Sequence, residues 1–148
     1  MLMDCRKDGF EFLEHMADAY IAAYGRSLNE AFENAALAMF ETMTDTSNVE
    51  PLVEEDIEIE GDDEQSLLYN WLEELLVRFE VENILYSKFK VLEIRKENGR
   101  LKLKAKVYGE TFNPEKHKQK VGIKAVTYHR MEIEETSEGV TVKFILDL

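Results

Sequence analysis

Two anionic groups close this sequence. The final run, Val140-Thr-Val-Lys-Phe-Ile-Leu-Asp147-Leu148, ends on an aspartate followed by the residue that carries the chain's last carboxylate. Val140, Val142, Phe144, Leu146 and Leu148 alternate with Thr141, Lys143, Ile145 and Asp147, the period-two pattern of a strand with one buried face. Chain ends usually fray, whereas an end written into an apolar alternation is expected to be tied into a sheet. Asp147 is then an acid held in a fixed place where burial does not require one. A second acid in a comparable setting is Asp18, which ends Glu14-His-Met-Ala-Asp18 just before the apolar run Ala19-Tyr-Ile-Ala-Ala-Tyr24. Carboxylate and carbonyl oxygens are the donors that hard cations such as Ca²⁺ and Mg²⁺ take. Acids at strand ends are also common turn formers, and spacing alone does not bring Asp18 and Asp147 together.

Other chemistry has less to stand on. His15, His117 and His129 are dispersed, and His117 lies among lysines in a predicted loop, where it is expected to be solvated. Zinc requires several nitrogen or sulfur ligands at fixed geometry, and the lone Cys5 gives neither a zinc site nor a disulfide framework. The sequence holds no glycine-rich phosphate loop, no Gly-x-Ser-x-Gly elbow and no His-Glu-x-x-His helix. A non-catalytic protein is therefore expected.

The elements that must position these residues follow from periodicity. A short strand around Phe10 to Glu14 and a second over Ala19 to Tyr24 form a hairpin-like opening. Ser27-Leu-Asn-Glu30 has capping-box spacing, and Leu28, Phe32, Ala35, Ala36, Met39 and Met43 continue from it at helical spacing to about Thr44, with the methionines as core filler. Asp56 to Glu60 alternates as a strand, and Asp62-Asp63-Glu64-Gln65 places a second capping-box spacing at the start of a second helix. That helix's stripe, Leu67, Leu68, Trp71, Leu72, Leu75, Leu76 and Phe79, is broad enough to lie on a sheet, with Trp71 as a packing anchor. Strands follow from Ile84 to Arg95 and from Leu101 to Val107 around an Asn98-Gly99 turn, then near Ala125 to Ile133 and Val140 to Leu148. The fold expected is α+β in a single domain over residues 1–148, with two helices packed on one face of a mostly antiparallel sheet in two layers.

A chain of 148 residues that is 45% hydrophobic can bury a core without disulfides or structural metal. Its net charge of −13 opposes unaided nucleic-acid binding. The charge is uneven: residues 1–85 hold 4 basic and 22 acidic groups, and residues 86–124 hold 12 basic and 4 acidic. The basic stripe reads either as a solvated sheet face or as a surface that docks on a charged partner. No apolar run reaches the ~20 residues of a membrane span and no signal core opens the sequence, so a reducing, cytoplasmic setting is expected.

Taken in order, His15-Met-Ala-Asp18, Tyr24-Gly25, Ala31-Phe-Glu-Asn-Ala35, Ala38-Met-Phe40, Met43-Thr-Asp-Thr46, Ser66-Leu-Leu-Tyr-Asn-Trp-Leu72, Lys124-Ala-Val-Thr-Tyr128 and Ile145-Leu-Asp-Leu148 resemble the archease family over nearly the whole chain. The resemblance implies a cofactor protein for tRNA splicing that activates the RNA ligase working through a guanylated histidine, promoting guanylylation and repeated turnover. It also implies a divalent-cation site at Asp18, Asp147 and Leu148, with Ca²⁺ ahead of Mg²⁺ or Mn²⁺. Met16 stands where the family motif commonly has threonine, which removes a hydroxyl from beside Asp18. Asp45 and Lys124 are candidates for further partner contacts, set against plainer roles as a turn cap and an exposed lysine. Two other readings share this sequence: a chaperone-like modulator of a tRNA methyltransferase or other RNA-modifying enzyme, and a metal-dependent hydrolase, for which no general base is placed.

Overall fold

The structure, a computed structural model, describes residues 9–15 and 17–148, without the side chains of Glu14 and His15. Cys5 and Met16 lie outside the described residues, as does the His15 side chain. Seven strands and two long helices follow in the order β1 Phe10–His15, β2 Asp18–Gly25, α1 Leu28–Met43, β3 Val53–Gly61, α2 Glu64–Glu82, β4 Ile84–Glu97, β5 Arg100–Thr111, β6 Ala125–Thr136 and β7 Gly139–Asp147, with a 3-10 turn at Thr46–Asn48. The α+β class and the antiparallel pairing are as expected. The strands divide into two sheets, β1-β2-β7-β6 and β3-β5-β4, where the periodicity suggested one. The helices account for the division. The buried set of α1 adds Ala31, Ala38, Phe40 and Thr42 to the predicted stripe, so the helix needs cover on more than one side. It packs on β2 of one sheet and β4 of the other, while α2 packs on β6 and β3. Trp71 is fully buried, and its indole N–H donates to the Phe32 carbonyl at 2.9 Å, which joins the two helices.

Local signals place the element ends. Ser27 Oγ accepts from the Glu30 N–H at 3.2 Å, but Glu30 reaches one residue further back than a capping box requires, to the Arg26 N–H at 2.7 Å. The second box is shifted by one residue from the predicted spacing: Asp63 is the N-cap of α2 and exchanges bonds with Ser66. Asn83 closes that helix in the left-handed region at φ 60°. Asn98 and Gly99, at φ 53° and 78°, make the turn between β4 and β5. At Gly25 the end of β2 abuts the start of α1 so closely that a Cβ would lie 2.3 Å from the Ala31 nitrogen.

Half of the basic stripe is matched by acids within the fold, through Arg95, Arg100, Lys102, Lys106, Lys116 and Lys120. Asp56, Glu58 and Glu60 on β3 stand opposite Lys106, Lys104 and Lys102 on β5. Lys106 pairs with Asp56 at 2.9 Å and Glu54 at 3.2 Å, and Arg100 with Asp62 at 3.0 Å and Glu60 at 3.2 Å. Exposed pairs contribute about 0–1 kcal/mol each, so their effect is on register and on keeping an edge strand soluble. This favours the solvated-face reading of the stripe.

His117 departs from expectation: it is buried, at 1% exposure. Its Nδ1 accepts from the Asn113 N–H at 2.9 Å, which leaves Nε2 protonated to donate to Glu110 Oε2 at 2.9 Å. Lys116 pairs with the same carboxylate at 2.8 Å, and Lys120 ties the loop to α1 through the Met43 carbonyl and Glu41. The lysines around His117 in sequence point outward, while the imidazole fills the loop's interior against Phe112. Burial acts to raise the Glu110 carboxyl, but Lys116, the Glu50 N–H and His117 outweigh it and bring its pKa from 4.5 down to about 2. A depressed carboxylate stabilises the fold above its unfolded value and loses that contribution as pH falls through the folded one.

Two outcomes are expected. In denaturant melts, Gly25→Ala lowers stability by about 1–3 kcal/mol, because a backbone wall cannot yield to the added methyl; an unchanged midpoint would mean that the β2–α1 junction is slack. Thermal melts of wild type and Glu110→Gln differ by a constant amount above about pH 4.5 and converge as pH falls toward 2. A gap that persists throughout that window would show the carboxylate's charge to be immaterial.

Candidate functional site

β2 and β7 are the two central strands of their sheet, and their register sets Asp18 directly opposite Asp147. Residues so paired project to the same face with Cβ atoms about 4.5–5.5 Å apart. Both aspartates are exposed, while their neighbours Ala19 and Leu146 are buried. Like charges directly opposed on a sheet are destabilising, so this pair does nothing for the fold that an uncharged pair would not do better.

The chain end is fastened from both sides. The Leu148 N–H donates to the Ala17 carbonyl at 3.2 Å, and the Lys124 N–H donates to the Asp147 carbonyl at 2.7 Å. Leu148 also packs on the core. The main chain thus gathers Asp18, Asp147, Leu148 and Lys124 at one end of the sheet, with Lys124 exposed just before β6. Among the described residues no group of three or more His, Cys, Asp or Glu could hold a metal ion. The side-chain donors at this edge are the carboxylates of Asp18 and Asp147, all oxygen, which suit a hard cation of the calcium or magnesium kind and not zinc.

Asp45 does not join this group. It caps the 3-10 turn after α1, accepting from the Ser47 N–H at 3.1 Å and the Ser47 hydroxyl at 2.7 Å, and these bonds hold its carboxyl below the usual range. His129 is exposed on β6. The backbone contribution of Ala17 had no signal in the sequence, because a carbonyl acceptor carries no residue signature. Glu11 was also missed. It sits on β1 opposite Ala22, buried, and accepts from the Tyr24 hydroxyl at 2.5 Å. Its place in the alternation Phe10-Glu-Phe12 was the one clue that it shares the outer face with Asp18.

The profile of the archease protein family matches residues 10–148. The archease of Sulfurisphaera tokodaii is 50% identical over 139 residues, covering 94% of this chain and 98% of that protein. That of Sulfolobus acidocaldarius is 51% identical with the same coverage. A Methanobacterium thermoautotrophicum protein solved in solution superposes with a TM-score of 0.84 at 48% identity, covering 95% of this chain and 99% of that one. A Thermotoga maritima archease, described as a possible chaperone, has a TM-score of 0.58 at 18% identity over 93% of this chain and 96% of its own, a likeness of fold alone. Matched along nearly its whole length in sequence and in fold, the chain belongs to the archease family.

Proposed function

We propose that this protein is a non-catalytic activator of the tRNA-splicing RNA ligase, acting through a divalent cation held by Asp18, Asp147 and the Leu148 carboxylate. Family membership supports the partner. The observation that carries the site is the register of β2 and β7, which opposes two exposed acids beside a chain end fastened on both sides. Ca²⁺ suits an exposed, all-oxygen set best, with Mg²⁺ or Mn²⁺ as alternatives. When bound, the cation supplies positive charge at the edge of an acidic protein.

The residues of this chain orient and discriminate. Rigid strands hold the two carboxylates in place before any partner arrives, so docking orders little that was free. An activator shifts its target only by preferring one state over another, so the protein must bind the guanylylation-competent ligase more tightly than the resting form. Direct RNA binding is not needed for this, and a net charge of −13 opposes it. Lys124, fixed through its backbone to Asp147, is placed to contact the partner beside the cation. Asp45 is a second contact on a separate turn.

Ligase guanylylation measured with wild type and with Asp18→Ala, at one metal concentration, tests the reading. Wild type is expected to stimulate and the variant to fail. The variant's stability without metal should stay within about 0.5 kcal/mol of wild type, as for an exposed substitution. Stimulation retained by the variant would remove the metal from the mechanism, and no stimulation by wild type would favour a modulator of another RNA-modifying enzyme. A tag appended after Leu148 should impair stimulation far more than one at the other terminus, because it converts the last carboxylate to an amide. Equal activities would exclude that carboxylate as a ligand.

A further inference from the structure

The outer face of the β1-β2-β7-β6 sheet continues beyond Asp18 and Asp147 to a second acidic feature. Glu11, Ala22, Lys143 and Glu132 form one cross-strand row over the four strands. The small side chain of Ala22 leaves a trough between the flanking longer ones. The resulting hollow of about 240 Å³ is lined by Glu11, Tyr24, Glu132, Glu134 and Lys143, among others. Glu11 is only 8% exposed. Its Oε1 accepts from the Tyr24 hydroxyl at 2.5 Å, and its Oε2 is buried with no hydrogen-bond partner among the described residues.

A buried carboxylate oxygen left unpaired is costly. A carboxylate fixed at one oxygen by Tyr24, with its other oxygen buried and unpaired among the described residues, is an acceptor that a cationic donor entering the hollow would complete once it displaces the cover over that oxygen. We propose that this hollow receives one arginine side chain of the partner protein, with Glu11 as the acceptor at its floor and Glu132 and Glu134 at its wall. Three acids against one lysine make the hollow attractive to a cation and hostile to an anion. Guanidinium fits better than ammonium because it is weakly hydrated, so entering a half-enclosed hollow costs it less, and because its planar fork of donors can serve more than one carboxylate oxygen. The pocket lies on the same outer face as the paired aspartates, several residues along β7, so a single partner surface can engage both. The inference rests on the ligase reading for the partner's identity.

The test compares wild type with Glu11→Gln, which keeps an acceptor for Tyr24 while removing the charge. Affinity for the ligase is read by calorimetry, alongside the protein concentration that gives half-maximal guanylylation. The variant is expected to bind at least about tenfold more weakly, with a melting temperature no lower than wild type, because an unpaired buried charge has been removed. Glu132→Gln combined with Glu134→Gln, at partly or fully exposed positions, should weaken binding in the same direction and supplies the answer if Glu11→Gln fails to fold. Agmatine, a free guanidinium, should compete with the ligase on wild type and not on Glu11→Gln. Wild-type affinity in both the Glu11 and the paired wall variants would overturn the arginine receptor while leaving the ligase reading intact. Micromolar binding of agmatine by the isolated protein, without competition against the ligase, would assign the hollow to a free ligand and equally overturn it. A wild type that neither binds nor stimulates the ligase would instead sink the partner reading itself.

Discussion

The ladder between β2 and β7 is the contact on which the rest depends. It joins residues near the start of the described chain to its last strand over eight consecutive pairs, from Asp18↔Asp147 to Gly25↔Val140. Nothing local holds these strands together. Both helices and the other sheet lie between them in the chain, so the pairing carries a loop-closure cost that buried apolar area has to offset. Ile21, Ala23, Val142, Phe144 and Leu146 are all fully buried on the inner side of that ladder. The same ladder carries Asp18 and Asp147 on its outer side, which couples the paired acids to a firmly anchored part of the core.

That coupling holds the last residues of β7 in place before any ligand could arrive. An exposed end fluctuates among conformations and could hold a ligand only by paying for its own ordering. Here the Ala17 carbonyl, the Lys124 amide and the burial of Leu146 leave the last two residues little freedom. The remaining tension is electrostatic, between two exposed carboxylates set opposite each other. Opposed like charges are a cost that the ladder's buried apolar face has to offset.

Much of this was legible in the sequence because period and capping are local. The stripe of α2, the Asn98-Gly99 turn and the terminal strand all stand where alternation or helical spacing put them. The division into two sheets was not legible, since it depends on which strand edges α1 and α2 cover, and pairing partners leave no mark on a single strand. His117 shows the same limit at one residue. Its neighbours in sequence are lysines, but its neighbours in space are Phe112, Asn113 and Glu110. Asp18 and Asp147 were each picked out by residue type and position, and their convergence followed only from the resemblance to a family. Glu11 escaped notice because an acid between two phenylalanines in a strand reads as a solvated position, and only the packed sheet makes it buried.

The distribution of charge then constrains how any partner approaches. The cations of β5 and the loop beyond it are largely committed to Glu54, Asp56, Glu60, Asp62, Glu50 and Glu110, so the stripe that stands out in the sequence contributes little field at a distance. The acids of the outer face of the other sheet are differently placed. Asp18 opposes another acid, and Glu11 holds a buried, unpaired oxygen on that same face. Arg130 lies over the Tyr20 ring at 4.4 Å, at a left-handed φ of 56° within the irregular part of β6, a conformation that costs a non-glycine residue energy. Half of the stripe's cations, Arg95, Arg100, Lys102, Lys106, Lys116 and Lys120, are thus paired within the molecule, while this outer face keeps Asp18, Glu11, Glu132 and Glu134. A positively charged surface approaching the β1-β2-β7-β6 sheet therefore meets acids that no ion pair within the described fold has satisfied, on the face that also carries Asp147.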